Sequence, residues 1–149
     1  MDIPIDKALS DLELLLHGWN YDVSLKIFRT PFVADTTPEE YIRASLGKGT
    51  VIGGLQDVDA AELAAEVETS LRYCGDQGHG PKQEAIRSPR FDDLVRVVLQ
   101  HLEEECQRSS AIFRFWLKEG HPFYPVFWDF AYLVVATGSV EVFIGSSSD

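Results

Sequence analysis

Basic residues are scarce in this chain. Lys and Arg number 13 against 24 Asp and Glu, a formal net charge of −11 over 149 residues. Nucleic-acid binding draws on clustered Lys and Arg to release phosphate counterions, so this balance argues against DNA or RNA as a partner. It argues in the same way against an anionic membrane surface. Cysteine is scarcer still. Cys74 and Cys106 stand in different segments, too few for a disulfide framework and in keeping with a reducing compartment. Long hydrophobic runs are missing as well. The longest strongly apolar stretch, residues 126–136, is too short for a membrane-spanning helix and contains Asp129. The opening residues lack a basic stretch and are interrupted by Asp2, Asp6 and Asp11, so no secretory signal is expected. A cytoplasmic protein is the expectation that follows.

What is present is an ordinary globular composition, 45% hydrophobic and 25% charged, with enough chain to bury a core as one domain. The apolar residues are unevenly placed. Nine of the seventeen aromatics fall between Phe113 and Tyr132, and no Lys or Arg follows Lys118. The C-terminal third is therefore expected to form the core, with the charged front half wrapped around it.

Leu9, Leu12 and Leu16 recur at helical spacing over residues 6–17, with Asp6 placed to cap and Gly18 to stop the helix. Tyr21, Val23, Leu25 and Ile27 alternate with polar residues, the period of a half-buried strand. Thr37, Pro38 and Glu40 form a capping-box start for a second helix that Gly47 ends. Residues 47–54 (GKGTVIGG) read as a loop with at most a short extended piece at Val51 and Ile52. A third helix spans residues 58–73, with Leu63, Val67 and Leu71 as its apolar stripe. Residues 74–83 are a Gly- and Pro-rich break. Ser88 and Pro89 open a fourth helix whose apolar face runs from Phe91 through Leu102 to Cys106.

Residues 112–117 suit either a helix or a strand. Residues 127–135 are apolar on both alternating faces, as a central strand requires, and residues 140–144 return as its hairpin partner after Thr137, Gly138 and Ser139. Residues 146–149 read as a polar tail. These elements predict an α+β fold, with about four helices in the N-terminal two-thirds packed on a small, mainly antiparallel sheet formed by the C-terminal aromatic segment.

No motif names a reaction. Cys74 and His79 share a loop, but a nucleophile and its base usually come from separate, rigid parts of a fold. His101 and Cys106 are five residues apart, about 140° around an ideal helix, and so do not face one ion. Lys48 is followed by Gly49 where a phosphate-binding loop needs Ser or Thr, and Asp57 and Asp59 follow. No catalytic residue, metal site or cofactor is expected. Asp59, Glu62 and Glu66 gather on one helix face, usually a solvated face but also a surface a basic partner would meet, with Glu68, Asp57 and residues 103–105 adding charge.

Trp19, Trp116, Tyr124, Trp128 and Tyr132 are candidate anchors or pocket walls, against the ordinary alternative of core packing. Asp129 is the odd residue in an apolar strand. It must either point outward or be hydrogen-bonded, with His121 or Tyr132 as available partners.

Small size, acidity and aromatic content with no catalytic signature resemble the immunity proteins with which bacteria neutralise toxins, in general character only and through no shared motif. That resemblance implies a cytoplasmic inhibitor that occludes a basic partner by an acidic surface with Trp and Tyr anchors. The residues whose charge and aromatic character suit such contacts here are Asp59, Glu62, Glu66, Trp19, Tyr124 and Asp129. Such a charge also serves solubility alone. Two other readings remain: a small enzyme using Cys74, His79 or Asp129 in a pocket, and an adaptor that oligomerises through the aromatic block.

Overall fold

The computed structural model describes residues 3–149; Asp2, one of the acids counted against a leader, lies outside them. The described residues form five helices and five strands in the order α1 (Ile5–Leu16), β1 (Asp22–Thr30), α2 (Pro38–Leu46), β2 (Ile52–Asp57), α3 (Ala60–Leu71), α4 (Gln83–Ile86), α5 (Pro89–Gln107), β3 (Ser109–Leu117), β4 (Trp128–Ala136) and β5 (Val140–Ser148). The strands make one sheet, β1-β5-β4-β3-β2, antiparallel throughout. The α+β class expected from the sequence is the one that forms. No helix among the described residues is long and apolar enough to cross a membrane.

β4 is the central strand, which explains why its sequence is apolar on both faces. Phe130, Tyr132 and Val134 point toward α1, α3 and α5, where they meet Leu12, Leu63, Leu94 and Val98. Ala131, Leu133 and Val135 point the other way, into a second core with Tyr41 and Ile42 of α2 and Val142 and Ile144 of β5. Each large apolar side chain buried in these layers contributes roughly 1.5–3 kcal/mol. A sheet covered on both sides needs near-continuous hydrophobic strands, and residues 130–136 are all buried.

Three of the helix starts follow from local chemistry. Thr37 Oγ1 accepts from Glu40 N at 3.2 Å, Asp59 Oδ1 from Glu62 N at 2.8 Å and Ser88 Oγ from Phe91 N at 3.2 Å. Each satisfies one of the orphan donors of a first turn. Glu40 departs from the capping box: its carboxylate accepts from the Thr37 hydroxyl and not from a backbone N–H. Asp6 does not cap α1. Pro4 takes the N-cap position, and Asp6 lies within the first turn, where the helix dipole favours an acid and where it pairs with Arg29 at 3.2 Å.

Several boundaries differ from the sequence reading. The glycine-rich stretch carries a six-residue edge strand, β2, because its Gly53 and Gly54 lie under the Trp116 side chain of β3. The expected polar tail is mostly strand. Ser146 and Ser147 are buried, and β1 pairs with β5 as far as Asp22↔Ser148. The sheet therefore draws both edges, β1 and β2, from the N-terminal half. α4, a one-turn helix, begins at the last residue of the expected break and occupies the interval before α5. The ambiguous residues 112–117 belong to β3. Of the acidic run at 103–105, Glu103 and Glu104 are exposed, whereas Glu105 is turned inward and buried.

Candidate functional site

The sheet opens at one end. β3 and β4 pair from Ser109↔Ala136 to Arg114↔Tyr132 and no further. Beyond Arg114, residues 115–117 stay paired with β2, while residues 128–131 stay paired with β5. The two halves part company, leaving a cleft of about 320 Å³ lined by Glu66, Arg114, Trp116, His121, Asp129 and Phe130, among others. The connection between β3 and β4 enforces the separation. It carries Pro122 and Pro125, with Gly120 at φ 95° and Tyr124 at φ 52°, a chain path that cannot close as a tight hairpin.

His121 ties this connection to the sheet. Its Nδ1 accepts from Phe123 N at 3.1 Å, so Nε2 carries the proton and donates to the Phe130 carbonyl at 3.2 Å. Burial lowers the His121 pKa below its ordinary value, with the Phe130 carbonyl and nearby Asp129 opposing the drop. The ring is thus held in the neutral form.

At the foot of the cleft, the fully buried Tyr132 donates its hydroxyl to Glu66 and accepts from Arg114 Nη2 at 3.1 Å. Arg114 Nη2 also lies 3.4 Å from Glu66 Oε1. Burial, and then the Glu66 carboxylate, push the Tyr132 phenol upward, so it stays protonated at neutral pH. Arg114 Nε is buried with no hydrogen-bond partner among the described residues.

These polar groups are mutually engaged. Two are not: the Asp129 carboxylate, exposed and without an ion-pair partner among the described residues, and the Trp116 indole, 50% exposed. Both line the cleft, and a carboxylate and an aromatic ring are the two kinds of group that a guanidinium or ammonium recognises, by charge-assisted hydrogen bonding and by cation–π attraction.

Of the residues singled out from sequence, Glu66 and Asp129 line this cleft together. Asp129 points outward, and neither His121 nor Tyr132 bonds to it; both have other partners. Tyr124 and Trp19 are 84% and 70% exposed and stand at the same end of the sheet. Trp19 is held there by paired backbone bonds with Gly80. Val51 and Val126 are exposed as well. Glu62 is exposed one turn before Glu66, and its charge reaches Arg114. Asp59 is apart from the others. It caps α3 beside Val58, which bonds to Ile112 at the opposite end of β3.

Trp128 is no anchor, since its Nε1 donates to the buried Tyr21 hydroxyl at 2.8 Å. Cys74 and His79 border one open hollow with Trp19, and His79 Nδ1 faces Asp76 at 3.7 Å. Sequence reasoning missed Arg114 and the Glu66–Tyr132 bond, because a polar residue in an ambiguous segment signals nothing until β3 and α3 are seen to meet.

Comparison with protein-family models finds no matching family, and comparison with curated proteins finds no relative.

Proposed function

We propose that the chain is a binding protein for a basic protein partner. The cleft between β3 and β4 receives one Lys or Arg side chain from that partner. Asp129 is its counter-ion and Trp116 the wall it lies against, while Trp19 and Tyr124 act as flanking anchors. The observation that carries this reading is that an exposed carboxylate without an ion-pair partner among the described residues, Asp129, and a half-exposed indole, Trp116, line one formed cleft. The net charge of −11 supports it by steering a cationic protein toward the surface. Glu66 and Asp129 together outweigh Arg114 in the cleft. In its narrower form the proposal is a cytoplasmic, toxin-neutralising protein of the immunity type, which acts by occlusion and not by catalysis.

The test is capture by immobilised protein from extracts of the source cells at about 50 and 300 mM salt, alongside the Trp116→Ala/Asp129→Asn variant. The expected result is retention of a protein with isoelectric point above roughly 9, lost at high salt and lost with the variant. Capture that is indifferent to both changes, or no basic protein retained, overturns the reading.

A further inference from the structure

A second cluster of ionisable groups lies away from the cleft, buried between α5 and β5. His101 and Glu105 are four residues apart on α5, about one turn, and so share a face of the helix. Glu141 stands on β5, on the face of the sheet that α5 covers; its neighbour but one, Phe143, is in the same core layer as Leu94 and Val98. His101 Nε2 is 2.9 Å from Glu141 Oε1. One donor atom from each of His101, Glu105 and Glu141 lies within 4.8 Å of the other two. Glu105 is 5% exposed and Glu141 3%.

Each carboxylate is held by a guanidinium through one of its two oxygens. Arg108 bonds Glu105 through Oε1, and Arg29 Nε lies 3.4 Å from Glu141 Oε2. Glu105 Oε2 is left buried with no hydrogen-bond partner among the described residues. A carboxylate oxygen removed from water and given no donor is strongly unfavourable, and no side chain in the cluster answers it.

We propose that His101 Nε2, Glu105 Oε2 and Glu141 Oε1 bind one divalent transition-metal ion, of which Zn²⁺ is the probe. One imidazole and two carboxylate oxygens are donors that Zn²⁺ accepts, at about 2.0–2.2 Å each. An imidazole ligand disfavours Ca²⁺ and Mg²⁺, which take oxygen alone. Tetrahedral bonds of that length put donors roughly 3.3 Å apart, so the set needs only a modest rearrangement. Two carboxylates offset the charge of the ion. Arg108 stays on Glu105 Oε1 and Arg29 beside Glu141 Oε2, an oxygen that also lies 3.1 Å from His101 Nε2. The two guanidiniums orient the ligands, the usual part of groups behind a metal site. A coordinating imidazole must carry no proton at Nε2, so protons compete with the ion and affinity weakens as pH falls. The ion joins α5 to β5, two elements far apart in the chain.

The experiment is calorimetric titration of chelator-treated protein with ZnCl₂ near neutral pH, with thermal melting in parallel. The expected result is a stoichiometry near one, a raised melting temperature, and at least about a tenfold loss of affinity in Glu105→Gln with its circular dichroism unchanged. The absence of binding, or equal binding by Glu105→Gln, overturns the proposal and assigns any bound ion to exposed groups such as His17, His79 or Cys74. If that variant does not fold, the wild-type Co²⁺ adduct decides. Four-coordinate visible bands without thiolate charge transfer support the site, and a thiolate band sinks it.

Discussion

The Trp116 side chain lies across Gly54 of the neighbouring strand, so closely that a Cβ added to Gly54 would come 2.1 Å from the indole Cζ2. The glycine is in β2 because the tryptophan of β3 occupies the space a side chain would need. The same contact fixes one wall of the cleft.

Gly54→Ala is therefore expected to displace Trp116 and to destabilise the protein by about 1–3 kcal/mol, the usual range for overpacking. Urea unfolding measures the loss, and a shift in tryptophan emission reports the displacement. Gly49→Ala is the control. A Cβ there meets nothing within 4 Å, so its effect should stay within about 0.5 kcal/mol. Equal effects from the two variants would refute the packing argument.

Tyr132→Phe removes the hydroxyl that joins Glu66 to Arg114. A loss of about 1–3 kcal/mol is expected, because both partners remain in a half-buried place without it. Combined with Glu66→Gln, the loss should fall short of the sum of the single variants, since both break one network. Additive losses would mean that the three groups act independently.

His121 supplies a pH dependence of known sign. Burial holds its folded-state pKa below the ordinary value near 6.5. As pH falls through that value the unfolded chain takes up the proton first, so stability is full above about pH 6.5 and declines as pH drops toward the folded pKa. The Phe123 N–H bond to Nδ1 cannot survive protonation at that atom. Unfolding midpoints between pH 7.5 and roughly pH 5 should fall more steeply for the wild type than for His121→Gln. Parallel slopes would show that the ring is not held neutral.

The two thiols should separate under alkylation at about pH 8. Cys74 is exposed. Burial, with help from Glu105 and Glu141, pushes the Cys106 thiol up to about 11, so only roughly a thousandth of it is thiolate at that pH. Mass spectrometry of a brief iodoacetamide reaction should find one adduct, on Cys74. Comparable labelling of both cysteines would contradict the burial of Cys106.

Two acids in apolar strands illustrate how far the sequence could be read. Asp129 stands out as anomalous from its neighbours, and it proves to be exposed at the open end of the sheet. Glu141, embedded between Val140 and Val142, is no less anomalous, yet it is the one that is buried, against His101 of α5. Alternation says only that a residue faces one side of a sheet. Whether that side is covered at that point depends on which helix crosses it. Ser146 and Ser147 make the same point, being polar by composition but interior because β1 and the 126–128 backbone pair with them.

Local chemistry determined the rest of the outline. Apolar periodicity defined the helices α1, α3 and α5, Thr37 and Ser88 set two helix starts, and a doubly apolar run marked β4 as central, because each depends on residues within a turn or two of one another. The opening between β3 and β4, the strand made of β2's glycines and the meeting of His101, Glu105 and Glu141 were decided only by tertiary packing. Each joins residues distant in sequence, and the energies that bring them together come from shared burial, which no single segment encodes.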